Sequence, residues 1–415
     1  MSIRLKLSIG LINIIIFSIG VSADTQGLTI EQAVAIALLQ DDPSVASLKS
    51  QARSLQDRAI ADGQLPDPKV KFGVSNLATD SPRFSQEPMT SLQFGAHQSF
   101  TSGSKRKFAR QRTQDQGQAY LHQARGRQLM IALEVRKLWL KLFYLEQAKM
   151  LVGKKQQQLQ NMQKAQERKF ANSASSAHVI LSIDAELALL ADKLEDIAGK
   201  KDYTRALIAR YIGEENARKP LVGNFDTLAS PKPAQILTEG LVDHPALQRE
   251  QALIQASSKS VALAKEAYKP NWGVDVGYGL RAGGRTDVAT AMVTMDVPLF
   301  TGKRQDKRLS AAKQSKQAIE LRLRSQQMDM ARDIKASFTV WLKSSSRIDL
   351  YNRVVLKRTQ DATKASENAF AGGKSDFTEI IRTHLSELDA RIKLEAIKWE
   401  RANAVADLLY FEGAE

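Results

Sequence analysis

The apolar residues of this chain follow two periods. Four short segments alternate apolar with polar residues, which indicates β-strands that have one apolar and one wet face. In the first of them Val70, Phe72 and Val74 share the apolar face. The strands are predicted at about 69-76, 90-100, 271-280 and 287-300. These lengths are close to the roughly 9–11 residues that a tilted strand needs to cross a bilayer.

The longer segments have apolar residues at every third or fourth position, which indicates amphipathic α-helices. Two helical hairpins are predicted, at 104-211 and 303-411, and a shorter proline-bounded helix precedes each pair of strands. The first arm of the first hairpin, from Ser104 to about Phe170, contains no proline. At 1.5 Å per residue such an arm is about 100 Å long. The predicted fold class is mainly α with a small β part.

The order of these elements occurs twice, at a spacing of about 200 residues. Phe100-Thr101-Ser102-Gly103 matches Phe300-Thr301-Gly302, and Trp139-Leu140-Lys141 matches Trp341-Leu342-Lys343. The sequence therefore predicts a duplicated helix–strand–strand–helix unit. The predicted organisation is a signal peptide 1-23, a first structural repeat 24-213, a linker or equatorial segment 214-240 and a second structural repeat 241-415.

The N-terminus has the three-part pattern of a secretory signal peptide. Arg4 and Lys6 precede an apolar run from Leu7 to Val21, and small residues follow, which predicts cleavage at Ala23. The alternative is a membrane anchor, but the run is shorter than the roughly 20 residues that a transmembrane helix needs. The mature protein is predicted to be exported. If it enters a membrane, it must do so as a closed β-barrel.

The strands predict an oligomer. Four strands cannot close a barrel, and an open sheet edge cannot lie within a bilayer. Several chains must therefore pool their strands, and three chains would supply about twelve, within the range of known membrane barrels.

Composition excludes several kinds of chemistry. The chain has no cysteine, which excludes disulfides, thiolate catalysis and lipid attachment through a cysteine. The formal charge is +15, and 15 − 2 = +13 after loss of Arg4 and Lys6. Because these charges are interleaved with acidic residues along helices, solvated helix faces are favoured over nucleic acid as their explanation. An acidic partner such as lipid headgroups or a cell-wall polymer stays open.

No group of residues suggests an enzyme, a cofactor or a bound metal. The five histidines lack the i,i+3 or i,i+4 pairing of a helical metal site, which favours surface or packing roles. They are His97, His122, His178, His244 and His384. Met292 and Met295 fall on opposite faces of a strand, so they form no thioether clamp.

The signal peptide, the duplication, the proline-bounded first helices and the paired strands resemble the TolC-type outer membrane factors of tripartite efflux pumps, over about residues 28-413. The resemblance implies a homotrimer that forms a 12-stranded outer-membrane β-barrel on a long periplasmic α-helical barrel. It also implies three partners: a periplasmic membrane-fusion adaptor, an inner-membrane RND pump and outer-membrane lipids. The implied location is the outer membrane of a Gram-negative bacterium, with an extension into the periplasm.

A narrower resemblance concerns the CzcC- and CusC-like factors of heavy-metal pumps. It rests on Leu65-Pro66-Asp67-Pro68-Lys69, on Gly73-Val74-Ser75-Asn76-Leu77 and on Gly95-Ala96-His97-Gln98-Ser99-Phe100. It implies export of Cu/Ag or Zn/Co/Cd cations. Many relatives in that branch have an N-terminal cysteine for a lipid anchor, and this chain has none.

Site residues follow from the resemblance. In the family, acidic rings near the second hairpin tip narrow the closed pore, and Asp376 and Glu379 occupy that stretch here, with Arg382 as a possible partner. The family's usual Asp-Val-Leu core is Thr-Glu-Ile in this chain, and ordinary solvated helix charges are the alternative. The hairpin tips are implied to dock the adaptor, through Asn172, Ser173, Ser176, Gly372, Gly373 and Ser375.

The predicted function is thus a passive exit duct for heavy-metal cations. The alternatives are an outer membrane factor for drug efflux or type I protein secretion, and a periplasmic coiled-coil scaffold without a pore. The alternating strands argue against the scaffold, because a coiled coil has no use for them. An exported enzyme ranks third, since it lacks a catalytic constellation.

Overall fold

The computed structural model describes residues 27–171 and 177–413. The predicted cleavage site at Ala23 and the tip residues Asn172, Ser173 and Ser176 lie outside these ranges. Among the described helices, none is long and apolar enough to cross a membrane.

The predicted fold class is confirmed: the chain is mainly α-helical with one small antiparallel sheet. The helices are α1 Ile30–Leu39, α2 Pro43–Asp62, α3 Lys105–Ala171, α4 Ala177–Ile212, α5 Glu214–Arg218, α6 Ala234–Gly240, α7 Pro245–Glu266, α8 Gln305–Leu350, α9 Leu356–Ala371 and α10 Phe377–Glu412. Pro43 and Pro245 occupy the first turns of α2 and α7, where the missing N–H costs no hydrogen bond.

The sheet has four strands in the order β1-β2-β3-β4, all antiparallel. They are β1 Lys69–Ser75, β2 Ser91–Phe100, β3 Asn271–Arg281 and β4 Val288–Asp296. The pattern predicts a fourth strand extending to residue 300, whereas β4 ends at Asp296. Pro298 has no N–H for a ladder bond, and Leu299 N donates instead to Val297 O in a local turn.

The long helices extend away from the sheet as two antiparallel hairpins. α3 has 67 residues and therefore spans about 100 Å. α8 and α9 form a nearly continuous arm that a single π-helical turn, Tyr351–Val355, interrupts. The α9–α10 hairpin packs against α3 and α4 at its distal end.

Two apolar clusters hold the hairpins together. The cluster nearer the sheet centres on Trp139, whose ring stacks on Phe143 at 5.3 Å and whose Nε1 donates to Leu28 O at 3.0 Å. The distal cluster joins three long helices through Val152 of α3, Ile183 of α4 and Ile381 of α10, all of them buried. The apolar stripes of the three helices thus pack against one another in a continuous line. This packing fixes the position of the hairpin tips.

Candidate functional site: the two-faced sheet and the distal hairpin

One face of the sheet is apolar except for Gln98 of β2. The register places Phe72, Phe94 and Tyr278 directly beside one another, and Phe72 is 70% exposed. The other cross-strand rows of this face are also mainly apolar: Val70–Ala96–Val276–Ala291, Val74–Leu92–Leu280 and Phe100–Trp272–Met295. An exposed apolar band of this size is unusual on a water-soluble monomer and marks contact with lipid or protein.

The opposite face is polar and rich in glycine. Its central ion cluster joins three strands: Lys71 Nζ lies 2.6 Å and His97 Nδ1 2.9 Å from the two carboxylate oxygens of Asp275. His97 Nε2 also lies 2.9 Å from Ser99 Oγ. Met292 stands opposite Asp275 on this face, whereas Met295 is on the apolar face. A face of this kind suits contact with water.

The outer edges of β1 and β4 have no strand beside them in the described chain. Edge N–H and C=O groups that face neither water nor another strand cost several kcal/mol each in an apolar environment. If the apolar face is to meet lipid, both edges must therefore pair with another chain.

A second unpartnered surface runs along α8. Leu321, Met328 and Leu342 lie on one heptad row of α8, which the exposed Lys335 interrupts, and they are 59%, 67% and 46% exposed. A heptad stripe of this kind packs against another helix. No described helix of the same chain covers it.

The tip between α9 and α10 is a tight helix-terminating turn. Gly373 has φ +69°, which favours glycine, and Lys374 N donates to Ala369 O at 2.8 Å. Gly372 caps α9, and Ser375 precedes α10. The structure therefore explains Gly372 and Gly373 as parts of the turn, and their predicted docking role stays a prediction.

The predicted constriction residues lie on one exposed side of α10. Asp376 is its N-cap, and its Oδ1 accepts from Glu379 N at 3.0 Å. Glu379 in turn accepts two hydrogen bonds from Arg382, at 2.8 and 3.0 Å. The three side chains form an intrahelical ladder on the side away from buried Phe377 and Ile380. The structure thus brings Asp376, Glu379 and Arg382 together, and their role in a pore stays a prediction.

A buried polar network that the sequence analysis did not predict lies deeper in the distal hairpin. His384 of α10 is 8% exposed; its Nδ1 lies 3.0 Å from Lys155 Nζ of α3, and its Nε2 lies 3.0 Å from Glu367 Oε1 of α9. A lysine ammonium only donates, so Nδ1 must accept and Nε2–H must donate to Glu367. One neutral imidazole thus links three helices beside a cavity of ≈ 220 Å³.

Burial controls the protonation of this network. Burial, and secondarily the charge of Lys155, lowers the pKa of His384 from its ordinary value of 6.5. Burial also lowers the pKa of Lys155, against the opposing effect of Glu387. The sequence offered no signal for this link, because Lys155 and His384 are 229 residues apart.

We predict that acidification loosens the distal hairpin through His384. Its pKa is lower in the folded state, so the unfolded state binds the proton first. Stability is therefore retained above pH 6.5 and lost as the pH falls through the folded pKa. Protonation turns Nδ1 into a donor that faces the Lys155 ammonium, with Glu367 and Glu387 as the nearby carboxylates.

The measurement is hydrogen exchange of residues 363–388, corrected for intrinsic pH effects. His384→Gln should remove most of the pH dependence, because glutamine does not titrate. His178→Gln, at an exposed histidine of α4, is the matched control and should keep the wild-type dependence. Equal pH dependence in wild type and His384→Gln would contradict the prediction.

The comparisons with known proteins agree with this geometry. Residues 236–413 match the family described as Outer membrane efflux protein. The structure of CusC is similar with a TM-score of 0.80 at 13% identity, covering 93% of this chain and 92% of that one. VceC from Vibrio cholerae has a TM-score of 0.77 at 15% identity, covering 93% and 96%. A membrane protein from Pseudomonas aeruginosa has a TM-score of 0.78 at 14% identity, covering 92% and 93%.

No curated protein sequence matches the chain. The matching family is one of efflux proteins, and another similar structure, OprN, is described as an outer-membrane channel. The predicted location, the outer membrane with an extension into the periplasm, is confirmed. The predicted resemblance is confirmed as well: the second half of the chain matches the outer membrane efflux protein family, and the whole chain has the fold of a TolC-type outer-membrane efflux channel.

Proposed function

We propose that this chain is the exit duct of a tripartite efflux system. It works as a homotrimer with a periplasmic adaptor and an inner-membrane RND-type pump. The two-faced sheet with both edges unpaired, at one end of helices about 100 Å long, is the observation that carries the proposal. A conduit through one membrane and across a wide aqueous space needs these two parts and no catalytic group.

In a trimer, the unpaired strand edges and the exposed helix stripes of each copy are covered by its neighbours. Twelve strands close a barrel whose apolar face meets lipid and whose glycine-rich polar face lines an aqueous lumen. The exposed stripe on α8 then packs against helices of a neighbouring copy, and the hairpins form the periplasmic tube. The exposed apolar residues of α4, among them Leu189 and Tyr203 two heptads apart, offer the complementary surface.

The exported substrate in this proposal is a heavy-metal cation. Support comes from the resemblance of the 65-100 segment to CzcC- and CusC-like factors and from the whole-chain similarity to CusC. His97, Asp275 and Met292 lie in one row across the polar face, where a passing cation would meet them. Drug efflux or protein secretion is the second candidate, because OprN and other outer-membrane channels are similar too.

The distal hairpin is the gate of the proposed duct. Threefold symmetry turns Asp376 and Glu379 into rings of carboxylates, which bind cations and whose links must break on opening. Arg382 holds each Glu379 within its own helix in the described state. The turns at Gly372, Gly373 and Ser375, with Asn172, Ser173 and Ser176 at the other tip, are the proposed adaptor contacts.

The duct itself is tested by fractionation. The full chain should appear in the outer-membrane fraction as a trimer that resists dissociation in unheated detergent. Met328→Glu should reduce the trimer strongly, because it places a charge in the α8 stripe, and Gln327→Glu adds the same charge about 100° around the helix as a control. Soluble monomer in the periplasm would reject the duct and favour the scaffold.

The gate is tested by single-channel recording in planar bilayers. Asp376→Asn removes the charge and keeps the helix cap, because asparagine caps as well as aspartate. Combined with Glu379→Gln, it should lower cation preference by several-fold and raise the closed-state leak. Asp389→Asn, an exposed carboxylate further along α10, is the control, and an unchanged reversal potential in the double variant would remove these residues from the gate.

The substrate is tested by susceptibility of a deletion strain to Cu, Ag, Zn, Co, Cd and unrelated drugs. Sensitivity to metals alone, restored by the wild-type chain, is the expected result, and the affected ions name the cargo. Sensitivity to drugs with unchanged metal tolerance would keep the duct and reject metal as its substrate.

A further inference from the structure

The two unpaired edges of the sheet carry charges that have no partner within the described chain. On the β1 side, Asp67 and Lys69 are exposed and form no ion pair. On the β4 side, the same holds for Arg304 and Arg308 beyond the strand, whereas Asp296 at its end acts electrostatically on Lys105. The β1 edge thus has an unpaired acid, and the β4 edge has two unpaired bases.

The strand directions bring opposite charges to the same end of the two edges. The four strands alternate in direction, so in a symmetric ring β4 of one copy must run antiparallel to β1 of the next. Asp67 precedes β1 at the end of the sheet nearer the helices, and it then faces the segment that leads from β4 to Arg304.

A related contact occurs inside the chain, where the first repeat meets the second. Lys105, at the start of α3, donates from Nζ to Lys269 O at 2.9 Å and to Asn271 Oδ1 at 2.6 Å. Ser104 N donates to Glu266 Oε2 at 2.8 Å. The strand-to-helix turn of the first repeat is thereby bound to the segment that precedes the first strand of the second repeat.

The duplication maps that internal contact onto the two free edges. Ser104, the residue before α3, corresponds to Arg304, the residue before α8, and Lys269-Pro270 corresponds to Asp67-Pro68. Phe100 pairs with Trp272 inside the chain, so Phe300 is expected beside Val70 of a second copy. The same correspondence places Asp67, the counterpart of Lys269, beside the turn that carries Lys303 and Arg304.

The space at the β4 edge has the charge to receive a carboxylate. A cavity of ≈ 590 Å³ is lined by Lys105, Lys269, Arg304 and Arg308, with Asp296 as its one acidic lining residue. Lys269 is paired with Glu266 at 2.7 Å, and Lys105 bonds only neutral oxygens. Asp296 and Glu266 also act electrostatically on Lys105, whereas Arg304 and Arg308 form no ion pair within the described chain, so positive charge remains in excess.

We propose that Asp67 of a second copy enters this cavity and pairs with Arg304. This contact belongs to the seam between subunits at the junction of sheet and helices, and it repeats once per subunit around the ring. The proposal rests on the proposed homotrimer and names the residues that set its strand register. Its partner is another copy of this chain.

The absence of cysteine makes cross-linking a direct test, because every thiol is an introduced one. Asp67→Cys with Arg304→Cys, expressed in the full chain and oxidised in isolated outer membranes, should yield covalent dimers and closed trimers that reducing agent dissolves. A short bis-maleimide covers pairs whose geometry is outside the narrow range of a disulfide. Asp67→Cys with Arg324→Cys, about 30 Å further along α8, is the matched control and should stay monomeric.

Charge reversal provides a second readout that does not depend on thiol geometry. Asp67→Arg should lower the temperature at which the trimer dissociates, and Asp67→Arg with Arg304→Asp should restore it. Rescue by the double variant separates a seam ion pair from general misfolding, because two folding defects would add.

The outcomes separate this inference from the function on which it rests. Wild-type chain that is monomeric or soluble would reject the trimeric duct itself. A wild-type outer-membrane trimer, together with no more cross-linking at 67/304 than at 67/324 and no rescue, would overturn the seam alone. Cross-linking above the control together with rescue would establish it.

Discussion

The structure depends on the backbone hydrogen bonds at the two outer edges of its sheet. A four-stranded sheet with an exposed apolar face can lie in lipid only if no edge stays open, since each unpaired N–H or C=O there costs several kcal/mol. The chain cannot meet this requirement alone, because β1 and β4 are too few strands apart to close on each other. In the proposed duct, oligomerisation is therefore a condition for the sheet to lie in lipid.

The same constraint explains why apolar surface on the helices stays exposed within one chain. The apolar clusters around Trp139 and Ile183 are closed, and they hold α3, α4 and α10 in place. The heptad stripe at Leu321 and Met328 stays open, although its residues are as apolar as those of the core. A tube built from several chains needs both kinds of surface, one that fixes each hairpin and one that joins neighbours.

Sequence patterning predicted the strands and hairpins because their periods are local properties of the backbone. Val70, Phe72 and Val74 show their common face in the printed sequence, and the register only adds which residues they meet. β4 ended early because one proline removed a ladder bond, a tertiary detail that alternation does not show. The His384 network was not predictable from the sequence. It depends on contacts with Lys155 and Glu367, which lie on two other helices and meet His384 only in the folded chain. Asp376 could be found from its position near the tip, but its capping bond shows that part of its role is structural.

Because the chain is duplicated, it contains one internal junction between two equivalent units. In a ring of such chains the junctions alternate between internal and intermolecular ones. Both must join the end of one repeat to the start of the next. The internal junction uses Lys105 to bind the segment before β3, and it can do so with backbone and amide oxygens because the covalent chain keeps the two repeats together. The intermolecular junction has no such tether, so it needs contacts that also select the partner. In the proposed seam, opposite charges at Asp67 and Arg304 provide that selection, since they favour one register and oppose a slipped one.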